Sequence, residues 1–132
     1  MPVHAEFQHG VAVEHAVVNA FTSAKTNPRW DWRYATDFVA SFRFKDGYRV
    51  SVAVGVTLDP DSAKRESDCV KGRAGLKTTG ANKYLALHVE FPMDPYHWDS
   101  AARQVRREVI KRIRKLKEVD CMTVDVSNVK SD

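Results

Sequence analysis

The chain has 132 residues and 15.0 kDa, of which 43% are hydrophobic, 10% aromatic and 29% charged. That is one domain's worth of chain, too apolar to stay disordered and without the ~18 to 20 consecutive apolar residues that cross a bilayer, so we expect a single soluble domain over residues 1–132, cytoplasmic or virion-associated. The net charge of +4 is too mild to exclude anything, but residues 101–119 hold eight bases and two acids, a local +6 that leaves the rest of the chain at −2.

The first ten residues carry His4, Glu6 and His9 where a secretory leader needs a cationic and then an apolar stretch, so no leader is expected. Residues 3–7 have the composition of a short strand. From Val11 to about Ala24, the apolar Val13, Val17, Phe21 and Ala24 recur at helical intervals; Val11, Val13, His15 and Val17 also alternate, which leaves a strand start as the rival reading. Thr26, Asn27 and Pro28 end the segment. Trp30, Trp32 and Tyr34 then alternate with Arg29, Asp31 and Arg33. In an extended conformation the three rings share one side, as an oligomer or partner interface or as a platform for stacked bases, with burial in the core as the plain alternative.

The clearest signal spans residues 38–58. Phe38, Val39, Ala40, Phe42 and Phe44 precede Lys45-Asp46-Gly47, and Tyr48, Val50, Val52, Val54, Val56 and Leu58 then alternate strictly with small or polar residues. This predicts a β-hairpin with one apolar face, because Asp-Gly supplies the positive φ of a tight turn. Residues 60–81 are polar and dotted with glycine, without periodicity, and read as a long loop. A strand over 83–91, a helix from Asp99 or Ser100 to about Val119, and a last strand through Met122, Val124 and Val126 complete the chain.

These elements predict an α+β fold: one mainly antiparallel sheet of four to five strands with two helices packed on one face. The order β-α-β-β-β-α is similar to that of double-stranded-RNA-binding and ribosome-hibernation domains, and α-β-β-β-α-β is similar to that of phage tail-terminator proteins. Both are resemblances of element order that bring no motif residues with them.

Few residues point to chemistry. Cys69 and Cys121 stand 52 positions apart, match no metal or redox spacing, and are expected reduced. Gly75 and Gly80 have the spacing of a phosphate-binding loop, but Ala81-Asn82 stands where Lys-Ser/Thr would hold phosphate and magnesium. His4-Ala5-Glu6 lacks the Pro-Cys-x-x-Cys that would complete a zinc deaminase signature, and His4, His9 and His15 with Glu6 and Glu14 do not share one helical face, so no metal is expected. His88 and Glu90 share the strand face expected to meet solvent, and no nucleophile or converging carboxylates accompany them. No cofactor and no catalytic residue is predicted.

Charge gives the functional expectation. On a helical wheel Arg103, Arg106, Arg107, Lys111, Arg114 and Lys117 occupy one arc opposite Ala102, Val105, Val109, Ile113 and Leu116. The loop adds Lys71, Arg73, Lys77 and Lys83, with no acid between them. Together they predict a non-enzymatic nucleic-acid-binding domain, for RNA or a ribonucleoprotein surface before DNA, in which a polyanion relieves the repulsion among the cations. The rival, in line with the tail-terminator resemblance, is a phage-derived oligomeric assembly or inhibitor protein that pairs through the long hairpin edge and Trp30, Trp32 and Tyr34 with itself or a host protein. No membrane partner is expected.

Overall fold

The computed structural model describes residues 2–131, with side chains from residue 9 onward. Its elements are α1 (Pro2–Ala20), α2 (Pro28–Tyr34), β1 (Phe38–Arg43), β2 (Arg49–Thr57), α3 (Ser62–Thr79), β3 (Lys83–Glu90), α4 (Trp98–Arg112) and β4 (Val119–Asp125), with single 3-10 turns at Pro95–His97 and Ile113–Lys115. No described helix is long and apolar enough to cross a membrane.

The caps come from the local sequence. Asn27 accepts the Arg29 amide at 3.0 Å and Pro28 opens α2; Asp61 accepts the Ala63 amide at 2.9 Å to open α3, and Gly80, left-handed at φ 76°, closes it. Gly47, at φ 90°, makes the turn between β1 and β2. The hairpin therefore forms where its alternation places it, with Phe38 opposite Val54 and Arg43 opposite Arg49.

The sheet is mixed. Its order is β1-β2-β3-β4, antiparallel between the first two strands and parallel thereafter, with Val52 beside Lys83 and Tyr84 beside Val119. Four helices cover both faces where two on one face were expected. Val13 and Val17 of α1, Phe21 just after it, and Ala101, Val105 and Val109 of α4 close over Val52, Val54, Leu85 and Leu87. On the other face α2 and α3 lie over Val39, Ala53, Tyr84 and Ala86. The crossovers β2-α3-β3 and β3-α4-β4 step along the sheet in the same direction but use opposite faces, so they have opposite hands, and one of them is of the rare left-handed kind.

Three expectations are corrected together. Residues 62–79 are helix α3, which replaces the long loop and supplies the parallel crossover; its fully buried residues are Gly72, against Tyr84 of the sheet, and Gly75, against Tyr34 of α2, with Cys69 and Leu76 partly buried beside them, too weak an apolar pattern to show as periodicity. A Cβ on Gly72 would lie 2.3 Å from the Tyr84 ring, and one on Gly75 would lie 2.6 Å from Tyr34, so the helix sits unusually close to its neighbours. Residues 3–7 continue the α1 helix and form no strand. With α3 in place, the element order matches neither of the two resemblances drawn from sequence.

The β1 edge is covered. Lys25 exchanges backbone hydrogen bonds with Val39, both at 2.9 Å, while the Ser23 hydroxyl donates to the Ser41 carbonyl at 2.7 Å and accepts the Ser41 amide at 3.1 Å. The hairpin edge expected to pair with a partner is thus already occupied at these two residues.

Candidate functional site

The basic helix is α4, but it begins at Trp98, with His97 rather than Asp99 or Ser100 at its cap, and ends at Arg112 rather than near Val119; a 3-10 turn at Ile113–Lys115 follows and Leu116 is extended, so Arg114 and Lys117 lie beyond the helix. Ala101, Ala102, Val105, Val109 and, in the following turn, Ile113 are buried, whereas Arg103, Arg107, Lys111, Arg114 and Lys117 are exposed. Some of this charge is already matched. Arg114 binds the Asp46 carboxylate with both oxygens in reach, one at 2.6 Å, and its guanidinium stands 4.8 Å and 4.7 Å from the Phe44 and Tyr48 ring centres. That hydrogen bond, before any other cause, holds the Asp46 carboxyl below the usual carboxylate range. Lys111 reaches Glu108 at 3.3 Å. Arg106 is half-buried, and its Nε is enclosed without a partner. Arg103, Arg107 and Lys117, together with Arg112 and Lys115, have no carboxylate partner among the described residues.

The second predicted group does not extend this surface. Lys71, Arg73 and Lys77 lie on α3, across the sheet from α4, and Arg73 pairs with Glu118 at 3.5 Å. Lys83 turns inward, its ammonium donating to the carbonyls of Ile113 and Leu116 at 3.0 and 2.8 Å, where it satisfies the end of the α4 turn. The aromatic trio is helical rather than extended, so its rings do not share one side: Trp30 packs beside the α3-side core, Tyr34 lies against Gly75, and Trp32 is 72% exposed. Of the two residues expected on the solvent face of β3, Glu90 is exposed but His88 is buried, together with Tyr84 and Ala86 on the same face, because α3 covers it.

The structure also assembles a site that sequence spacing did not show. Glu14 of α1, Asp31 of α2 and Asp37 before β1 line two adjoining clefts of about 510 and 260 Å³; the smaller is bordered also by Trp32, Lys64, Asp68 and Lys71. Asp37 accepts the Val56 amide at 2.6 Å, which fixes it at the carboxyl end of β2. Burial raises the Glu14 carboxyl to about 7, aided by the charge of Asp31 and opposed by Lys64. Burial likewise raises Asp37 to about 8, with the Glu14 charge adding and the Val56 hydrogen bond opposing. Near neutral pH such a pair carries a proton, as a general acid–base pair does. Among the described residues, no group of three or more His, Cys, Asp or Glu is arranged to hold a metal; the side chains of His4 and Glu6 lie outside those described. No sequence signal foretold the cleft, because its acids come from three separate segments.

No family model matches the chain, and no curated protein or solved structure matches it. Any reading of function therefore rests on the site itself.

Proposed function

We propose that the chain is a non-enzymatic nucleic-acid-binding domain whose contact surface is the outer face of α4 and the segment that follows it to Lys117, with RNA or a ribonucleoprotein surface as the first class of partner. The observation that carries the reading is a group of exposed cations: Arg103, Arg107 and Arg112 on α4, with Lys115 and Lys117 in the turn and segment that follow it, face solvent with no carboxylate partner among the described residues. Like charges so arranged repel one another, and phosphates relieve that repulsion while releasing counterions to solution. The contact excludes the bases of α3, which lie across the sheet from α4.

Anisotropy titrations with a short labelled RNA duplex test this. Neutralising about five phosphates gives a log–log salt slope of roughly −4 to −5. Absence of binding at ~50 mM salt removes the proposal.

The rival reading, assembly on a second copy or a host protein, is favoured by the separation of the two basic groups onto opposite faces. Its pairing edge is β4, because the β1 edge is occupied by Ser23 and Lys25. A concentration-dependent oligomer in light scattering supports it, and a monomer throughout removes self-assembly.

A further inference from the structure

The contact surface on α4 leaves both cysteines unused, and they stand on neighbouring elements of the opposite face. Residues 65, 69 and 73 recur every fourth position on α3 and so form one stripe along the helix. On β4, residues 119, 121 and 123 share the face toward α3, while Met122 and Val124 enter the α4-side core. Both ends of the stripe are tied to this segment: the Arg65 guanidinium donates to the Thr123 hydroxyl at 3.2 Å, and Arg73 pairs with Glu118 at 3.5 Å. The middle member of the stripe, Cys69, therefore lies over the middle of the segment, at Cys121.

A disulfide needs Cα atoms within roughly 4.4 to 6.8 Å, closer than a helix usually comes to a sheet. Gly72, one turn beyond Cys69, provides that approach: a methyl group there would overlap the Tyr84 ring. We propose that Cys69 and Cys121 are a redox pair, closing a disulfide between α3 and β4 when a low-molecular-weight disulfide such as oxidised glutathione acts as oxidant.

Exposure sets the order of events. Cys121 is exposed and Cys69 half-buried, and both are free thiols. The Cys121 thiolate attacks one glutathione sulfur, breaking the glutathione disulfide and expelling one glutathione thiolate. The Cys69 thiolate then attacks the Cys121 sulfur of the mixed disulfide and expels the second. Two protein thiols are oxidised, one disulfide is reduced to two thiols, and the cysteine protons end on glutathione. Burial, foremost, pushes the Cys69 thiol up, which slows its reaction with an external oxidant and suits the resolving role.

The test is to incubate the intact chain with oxidised glutathione, quench with N-ethylmaleimide, and measure the whole mass and the peptide map. The expected product is a monomer lighter by two hydrogens, unreactive to the maleimide, with a Cys69–Cys121 cross-linked peptide that dithiothreitol releases. Cys69→Ser is expected to stop at a stable glutathione adduct on Cys121. A wild-type chain that accumulates that same adduct, or that dimerises through Cys121, overturns the proposal.

Discussion

Asp37 accepts the Val56 amide across the first two strands at 2.6 Å while Glu14 stands near enough to raise its affinity for a proton. The folded state thus prefers Asp37 and Glu14 protonated, with folded values of about 8 and about 7 against ordinary carboxylate values near 4. The stability this confers is complete below the ordinary carboxylate value and is lost as pH rises through about 7 and 8. Thermal melts between pH 5 and pH 9 are expected to show a falling midpoint. Asp37→Asn, which keeps an acceptor for Val56, flattens that fall by on the order of 2 kcal/mol, after allowance for solvent screening. A midpoint that instead rises from pH 5 to pH 9 shows that these carboxylates are ionised in the fold.

Gly72→Ala places a methyl group in the Tyr84 ring. Overpacking of this kind costs about 1 to 3 kcal/mol, and here it also lifts α3 from the sheet. Denaturant titration checks the value. Gly47→Ala is the matched control: its turn is open, so only the positive φ acts against the methyl group, at roughly 1 kcal/mol. Equal costs at the two sites would mean that α3 is not tightly seated.

Charge and core separate within α4 and the turn that follows it. Replacing Arg103, Arg107 and Lys117 with Gln is expected to leave the melt within ~0.5 kcal/mol while lowering the salt slope of RNA binding by about 3. Ile113→Ala, at a fully buried side chain, costs ~2 to 5 kcal/mol and leaves binding intact in whatever remains folded. The reverse pattern places the basic residues inside an interface.

Lys83→Met tests the one predicted binding residue that the fold has turned inward. It strips two carbonyls at the end of the α4 turn of their donor and is expected to cost about 1.5 to 3 kcal/mol in chemical denaturation. Affinity for RNA, measured well below the melting midpoint, stays unchanged. A tenfold loss of affinity with no loss of stability would return Lys83 to the binding surface.

The hairpin, β3, β4 and the existence of α4 were legible because each carries an apolar periodicity, with Asp46-Gly47 marking the turn; the end of α4 was not, since Val109, Ile113 and Leu116 keep a helical spacing past Arg112, where the chain tightens into a 3-10 turn. Helix α3 was not, because close seating inverts the usual pattern: glycine faces the sheet and no large apolar stripe exists for periodicity to detect. Without α3 the crossover vanishes, and an antiparallel sheet becomes the natural but mistaken expectation. The basic face of α4 could be read from charge spacing alone. Lys83 could not be told from its neighbours, since its partners are backbone carbonyls 30 and 33 residues away. Glu14, Asp31 and Asp37 escaped notice because they meet only after α1, α2 and β1 have packed.

The hydrogen bonds that Ser23 and Lys25 make to β1 limit how copies of this chain can polymerise. Among the described residues, β4 is the sheet edge to which no such segment is hydrogen-bonded. Two molecules joined there about a twofold axis would present only their β1 edges outward, each already occupied at Val39 and Ser41. Growth by sheet extension therefore terminates at two, and an open-ended fibre would first require the 23–25 segment to peel away.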